Sequence, residues 1–190
     1  MQDLKQLVPE KVCLKCDICC RFPEKETVWS PVLSKDEAEQ IRAKDLAKIK
    51  VTDNNGFELI SSDGGYICPC LSAKDNRCKI YEFRPFDCQL YPFVLTSDGQ
   101  KISLAADLKC PFIFKGIESG SFKKDLDFSR YIQYLNNLLN SSHTLDYISK
   151  NPQLVGNYTE DIIILASLDK LSNWVIKKNN GIPEVKQALP

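Results

Sequence analysis

Several features that would define a functional class are scarce or missing in this sequence. The 25 lysines and arginines are balanced by 25 aspartates and glutamates, so the chain lacks the basic excess with which nucleic-acid-binding proteins contact phosphates. No stretch reaches the roughly 18 consecutive apolar residues of a membrane span, and the first ten residues are too polar for a secretory signal. These absences predict a soluble, cytoplasmic protein that binds neither nucleic acid nor membrane.

Two further absences concern catalysis. The chain has one histidine, His143, and no glycine-rich strand-to-helix loop of the kind that cradles a nucleotide. Most zinc enzymes keep histidine or carboxylate ligands at an open catalytic position. His143 lies outside the cysteine-rich region and is expected at a helix boundary, whereas Asp17 is expected to be a solvated loop residue. An all-thiolate zinc site would therefore indicate a structural role rather than hydrolysis.

Cysteine, in contrast, is abundant and unevenly distributed. The chain contains nine cysteines, all between Cys13 and Cys110. Disulfides would be the alternative use of these residues, but an odd number of thiols in a chain without an export signal meets a reducing environment. The cysteines therefore predict a metal site.

The first group of cysteines has the form C-x-x-C-x-x-C-C. Cys13, Cys16 and Cys19 place three thiols on one short loop, at the spacing that wraps three corners of a cubane iron–sulfur cluster. Neighbouring side chains diverge on helices and strands, so Cys20 is expected to point away from Cys19. Cys20 would then serve a second site or remain a reactive thiol.

The second group is spread over a longer stretch. Its members are Cys68, Cys70, Cys78, Cys88 and Cys110. Most of these separations are too long for a zinc knuckle, so the fold itself must bring the thiols together. A proline follows Cys68 and Cys110, as one follows the last cysteine of the bacterial ferredoxin run. Because one centre takes four thiolates, the cysteines predict either two centres or some unligated thiols.

These motifs resemble the YkgJ-type cysteine-cluster family, which is described as a zinc- or iron-chelating domain. After C-x-x-C-x-x-C-C its pattern continues with C-P-x-L, C-x-I-Y, R-P-x-x-C-x-x-Y-P and a late C-P, and this chain matches it over about residues 13–116. The resemblance implies that the metal ligands are Cys13, Cys16, Cys19, Cys20, Cys68, Cys78, Cys88 and Cys110.

The chain departs from the family pattern at two positions. Cys70 stands where the family commonly has an apolar residue, and it is therefore the candidate for the odd, non-ligand thiol. Gln89 stands where a basic residue is common, which leaves Arg84 as the most obvious charge partner of the cofactor. A guanidinium remains charged and could offset the thiolates or orient a substrate carboxylate, although a plain surface ion pair is the alternative.

The resemblance also extends to the cysteine region of flagellin lysine N-methylase, which is thought to carry a [4Fe-4S] centre. It implies an iron–sulfur protein with a redox or methyl-transfer-related role. The methylase comparison is an analogy only, since no S-adenosylmethionine site is recognisable in this chain. A zinc-stapled, non-catalytic binding module is the alternative. Neither interpretation identifies the protein or small molecule that acts as partner.

Hydropathy patterns predict an α+β fold. Residues 1–116 are expected to form an irregular metal-binding module with short hairpins, and residues 117–190 a helical extension packed on it. Ser34 and Glu37 form a capping-box pattern that predicts a helix to about Lys50. Asn55-Gly56 and the segment around Ser97, Asp98 and Gly99 predict hairpin turns.

Two amphipathic helices are predicted in the extension. The first has apolar residues at helical spacing from Phe128 to Leu139. The second is expected to present the apolar side chains of Ile164, Leu168, Leu171 and Val175. Asn157 with Glu160 would cap its start, and Gly181 and Pro183 would end it.

Overall fold

The computed structural model describes residues 4–13, 15–16, 18–44 and 49–179. It confirms the α+β class, with small antiparallel sheets and helices that lie mostly in the C-terminal half. The chain forms two compact units, which divide between Tyr91 and Pro92. The predicted boundary at residue 116 between a metal module and a helical extension stays a prediction.

The first unit, residues up to Tyr91, has short elements. Its helices are α1 (Glu10–Cys13), α2 (Lys35–Ala43) and α3 (Phe86–Leu90), with 3₁₀ turns at Ile18–Cys20 and Tyr81–Phe83. Its strands are β1 (Arg21–Phe22), β2 (Ile60–Ser62) and β3 (Gly65–Ile67). They form one antiparallel sheet in the order β1-β3-β2.

The predicted capping box begins helix α2. The Ser34 hydroxyl accepts from the Glu37 backbone N–H at 3.2 Å, and the Glu37 carboxylate accepts from the Ser34 N–H at 2.7 Å. The helix ends earlier than predicted, at Ala43, and Lys50 lies outside it. Leu46, which contributed to the predicted apolar stripe, lies outside the described residues.

Asn55-Gly56 forms the predicted turn without long flanking strands. The N–H of Thr52 donates to the Gly56 carbonyl at 2.8 Å, and Asn55 has a φ of 56°. Asparagine tolerates this left-handed conformation better than most residues. An antiparallel bridge between Val51 and Phe57 joins the two sides of the turn, and a second antiparallel bridge joins Gly56 to Val32.

The hydrophobic core of the first unit includes cysteine side chains. Its buried members are Phe22, Leu33, Ala38, Ile41, Phe57, Leu59, Cys68, Cys70, Leu71 and Ile80. The partly buried Cys20 and Cys78 pack against this cluster. Burial of the apolar residues therefore positions these four thiols as well.

The second unit, from Pro92 onward, has longer elements. Its strands β4 (Phe93–Ser97), β5 (Ile102–Asp107) and β6 (Ile162–Ser167) form an antiparallel sheet in the order β4-β5-β6. The helices are α4 (Pro111–Glu118), α5 (Ser121–Lys124), α6 (Leu126–Leu139), α7 (Ser142–Lys150) and α8 (Asp169–Asn179), with a 3₁₀ turn at Pro152–Leu154. The predicted hairpin between β4 and β5 and the first amphipathic helix, α6, are both confirmed.

The second predicted helix is wrong in its first part. Ile164 belongs to strand β6, and the helix α8 begins only at Asp169. Three consecutive β-branched residues begin β6, and they favour an extended strand that pairs with β5. The predicted cap at Asn157 and Glu160 is therefore wrong, whereas Gly181 and Pro183 lie outside the described residues.

Helix α7 was not predicted as a separate element. The Ser141 side chain caps it by accepting from the Thr144 N–H at 3.4 Å. His143 lies in the first turn of this helix, which confirms its predicted place at a helix boundary. In the described part of the chain, no helix combines the length and the apolar composition that a membrane span needs.

Candidate metal centre

The N-terminal cysteines lie on a succession of tight turns. Cys13 is the last residue of α1, and the N–H of Cys16 donates to its carbonyl at 3.0 Å. Cys19 and Cys20 follow on the 3₁₀ turn Ile18–Cys20. Cys13 and Cys19 are exposed residues, so this loop lies at the surface of the first unit.

Cys19 and Cys20 do not diverge as expected. Their Sγ atoms lie 3.8 Å apart. Although the two Cβ atoms point in different directions, rotation about χ1 brings the sulfurs together beyond them. Two sulfurs bound to one tetrahedral metal at about 2.3 Å would also be separated by about 3.8 Å. The spacing of this pair therefore suits two ligands of a single metal ion.

The C-P-C segment joins the same group of sulfurs. The N–H of Cys68 donates to the Cys20 carbonyl at 2.9 Å, which holds the two backbones together. The Cys20 and Cys68 side chains are hydrogen bonded, and Cys68 is also hydrogen bonded to Cys70. Cys19, Cys20, Cys68 and Cys70 thus form a string of sulfur contacts, which is called the thiol string below.

Cys78 and Cys88 lie within electrostatic range of this string. An antiparallel bridge pairs Leu71 with Cys78, and Cys88 lies in helix α3. Burial raises the thiol pKa of both, and a negative charge on Cys68 adds to the rise. Similar effects link Cys13 with Cys16 and Cys19. The fold of the first unit therefore gathers eight cysteines that are scattered over the sequence.

Hydrogen bonding within the thiol string gives its members opposite pKa shifts. Donation by Cys20 lowers the pKa of Cys19, and donation by Cys20 and Cys70 lowers the pKa of Cys68. The same bonds raise the pKa of Cys20 and Cys70. Outside the string, burial raises the pKa of Cys88. Cys19 and Cys68 are thus the string's favoured thiolates.

Arg84 lies beside the N-terminal loop. Its guanidinium carbon is 4.1 Å from the centre of the Tyr81 ring, a cation–π distance. Burial raises the pKa of Cys13 and Cys78, and the Arg84 charge partly opposes that rise, whereas for Cys19 it adds to a lowered pKa. Among the described residues, its buried Nε has no hydrogen-bond partner. A positive side chain with an unused donor suits a site where several thiolates gather, and the role of Arg84 as charge partner of the cofactor stays a prediction.

Helix α3, which carries Cys88, is anchored by two carboxylates. Glu37, already part of the capping box, accepts from the Phe86 N–H at 2.7 Å through its other oxygen. Asp87 accepts from the Val32 N–H at 3.0 Å. Burial, aided by the Glu37 charge, raises the pKa of Asp87 to about 6 although the Val32 bond opposes the shift. The capping box was visible in the sequence, but the second bond of Glu37 was not.

Gln89 connects three segments of the unit. Its Oε1 accepts from the Leu4 N–H at 3.2 Å, and its Nε2 donates to the Arg84 carbonyl at 2.7 Å. Its own carbonyl accepts from the Gln6 side chain at 2.8 Å. A lysine or arginine could not supply the accepting side-chain oxygen. The neutral residue at this position therefore ties the N-terminal segment to the chain that carries Arg84.

The cysteine sulfurs do not meet at a single metal-binding point. Throughout the described ranges, no three side chains of cysteine, histidine, aspartate or glutamate form a group that could hold a metal ion. None of the nine cysteines, all of which are described, forms a disulfide. Cys110 is buried at the start of α4 in the second unit, where Pro111 is the first helical residue. The donor set suits a soft, thiophilic metal, and the predicted ligand assignments stay predictions.

The cysteine-rich part of the chain matches a known protein family. Residues 12–111 match the model of the CxxCxxCC family, described as a "putative zinc- or iron-chelating domain". The chain belongs to the CxxCxxCC family. It is also 29% identical over 122 residues to the uncharacterized protein MJ0661 of Methanocaldococcus jannaschii, an alignment that covers 64% of this chain and 65% of the relative. No solved structure matches the chain.

Proposed function

We propose that this CxxCxxCC protein binds an iron–sulfur cluster, of the [4Fe-4S] type, through thiolates of its first unit and has a redox or methyl-transfer-related role. The supporting observation is that one compact unit gathers eight cysteines, with Arg84 beside three of them. Four thiolates hold such a cluster. The remaining thiols then leave room for a second centre or for a sulfur that contacts a substrate.

The N-terminal loop supplies three of the ligands in this proposal. Cys13, Cys16 and Cys19 lie on consecutive turns, and the fourth ligand comes from the second group. When bound, the cluster supplies one-electron redox chemistry. The protein contributes charge and burial: Arg84 offsets the thiolates and thereby raises the reduction potential, and the apolar core around Cys68 restricts water.

Anaerobic purification tests the proposal. The expected protein is brown, contains iron and acid-labile sulfide, and shows broad visible absorption from thiolate-to-iron charge transfer. Electron paramagnetic resonance of the reduced protein then distinguishes one cluster from two coupled clusters. Colourless protein with stoichiometric zinc and no sulfide, from cells grown with ample iron, would contradict the iron–sulfur assignment.

A zinc-stapled binding module is the second candidate, and one distance favours it. Each iron of a cubane takes one cysteine, so the thiolates of a cluster point to separate corners. The 3.8 Å separation of the Cys19 and Cys20 sulfurs instead matches an edge of a single-metal tetrahedron. Zinc held by four thiolates would stabilise the fold without catalysis. The same metal and sulfide analysis separates the two candidates.

The cellular setting and the partner are part of the proposal. Clustered cysteines without disulfides suit the reducing cytoplasm. Balanced charge provides no basic surface excess for nucleic acid. The exposure of residues Cys13 and Cys19 supports a centre near solvent that a protein or small-molecule partner can reach. Fractionation of cells and crosslinking through the N-terminal loop would identify both.

A further inference from the structure

We propose that Cys70 is a metal ligand of this chain. The family resemblance predicted the opposite, because relatives commonly carry an apolar residue at this position. The inference rests on the proposed metal binding of the first unit, but it holds for iron and for zinc. The Cys70 sulfur would then be a ligand at a position where the family pattern has no cysteine.

The first argument is the position of the side chain. Cys70 is 2% exposed and belongs to the same core as Cys68, which is 4% exposed. Only Pro69 separates Cys68 from Cys70, and the side chains of these two cysteines are hydrogen bonded. The N–H of Leu71 donates to the Cys68 carbonyl at 3.0 Å and fixes the turn between them. The C-P-C segment therefore presents two sulfurs to the same side.

The second argument is the neighbourhood of the sulfur. The Cys70 backbone carbonyl accepts from the Lys79 N–H at 2.8 Å, next to Cys78. Negative charges on Cys68, Cys78 and Cys88 would all act on the Cys70 thiol. Cys70 is thus the member of the thiol string whose backbone is bonded next to Cys78, and its thiol also responds to the charges of Cys78 and Cys88.

A purely apolar role explains this placement less well. A buried cysteine often acts as a small hydrophobic residue, and its sulfur then contacts mainly apolar groups. Cys70 is instead hydrogen bonded to another sulfur and lies near two further thiols. Each cysteine turns about one χ1 bond, so Cys20, Cys68 and Cys70 can converge on a metal by rotamer changes of short side chains.

The experiment compares metal binding by the full chain and two variants. Cys70→Val restores the apolar character of the relatives, and Leu71→Ala is the matched control because Leu71 is a buried neighbour without sulfur. Protein freed of metal is titrated with Co²⁺, whose thiolate charge-transfer absorption grows with the number of Co–S bonds, and with Zn²⁺ against a chromophoric chelator. We expect Cys70→Val to lose charge-transfer intensity and at least about 10-fold in zinc affinity. Leu71→Ala should keep the intensity.

Other outcomes overturn the assignment in distinguishable ways. If Cys70→Val matches the wild type in intensity and affinity, Cys70 is a packing residue while the proposed metal binding stands. If the wild type binds neither Co²⁺ nor Zn²⁺ and cannot be reconstituted with iron and sulfide, the proposed function fails together with this inference. Should Cys70→Val fail to fold by circular dichroism, Cys70→Ser gives the same comparison with a nearly isosteric side chain.

Discussion

The two units of this protein differ in how their cores are organised. In the second unit, strands of five and six residues pair along their length, and the buried side chains are mostly apolar, with some polar groups such as Thr96 and Asp107 among them. In the first unit, the strands have two or three residues, and cysteines form part of the core. Backbone pairing organises the second unit, whereas the first depends on turns, isolated hydrogen bonds and sulfur contacts. Metal should therefore stabilise the first unit far more than the second.

Metal removal should destabilise the first unit far more than the second. We expect a chelator to lower the amide protection factors of the first unit by roughly two orders of magnitude or more. A structural metal contributes on the order of 10 kcal/mol to folding, so its removal should open the unit to exchange. The hairpin of β4 and β5 should keep its protection. Hydrogen exchange followed by mass spectrometry measures both regions in one sample. Equal loss in the two units would show that they unfold together.

Loss of an N-terminal ligand should have the next largest effect. Cys16→Ser is expected to remove most of the bound metal, because serine does not replace thiolate as a ligand for soft metals. Lys15→Ser, an exposed neighbour on the same loop, is the control and should keep full metal content. Inductively coupled plasma mass spectrometry gives the stoichiometry. Equal metal in the two variants would remove Cys16 from the ligand set.

A core truncation in the second unit should lower stability without loss of metal, the reverse of the result expected for Cys16→Ser. Leu104 is fully buried in β5, so Leu104→Ala should lower the free energy of unfolding by about 2–5 kcal/mol through lost burial and a cavity. Metal content should not change. Leu126→Ala provides the control, since Leu126 is 71% exposed. Denaturant unfolding and metal analysis of the same samples check both expectations, and metal loss in Leu104→Ala would contradict them.

The contrast between the units also explains what the sequence could predict. The cysteine spacing, the capping box at Ser34 and the hairpin at Gly99 depend on residues close in the chain, so local pattern was sufficient. The strand β6 was mistaken for helix because a short apolar run fits both periods, and only pairing with β5 decides between them. The contact of Cys19 with Cys20 depends on rotamers, which spacing does not reveal.

The long-range hydrogen bonds of the first unit could not be predicted from the sequence either. Gln89 attracted notice only as a departure from the family pattern, yet it links Leu4, Gln6 and Arg84. Glu37 was predicted as a helix cap but not as the acceptor for Phe86. Leu4 and Gln6 lie 85 and 83 residues from Gln89, and Phe86 lies 49 residues from Glu37, so nothing in the local residue types specifies these partners. The irregular first unit depends most on such bonds, so its site was the least predictable part.

Glu37 offers a smaller perturbation of the first unit. Glu37→Ala removes the acceptor for both the Ser34 and Phe86 N–H groups, and we expect a loss of about 1–3 kcal/mol in stability. Metal affinity should fall as well because α3 carries Cys88. Glu39→Ala, at an exposed position of the same helix, is the control. If thermal unfolding of the metal-loaded variants shows the same midpoint, the second bond of Glu37 contributes nothing measurable.

The smallest expected effect concerns the charge of Arg84. Replacing it by glutamine removes the cation that acts on Cys13, Cys19 and Cys78. If the centre is an iron–sulfur cluster, its reduction potential should fall by tens of millivolts, since about 59 mV corresponds to 1.4 kcal/mol for one electron. Arg84→Lys keeps the charge and should restore most of the potential, whereas Arg77→Gln removes an exposed cation elsewhere in the unit as a control. Potentiometric titration measures all four proteins. A uniform potential would show that the Arg84 side chain contributes packing on Tyr81 rather than charge.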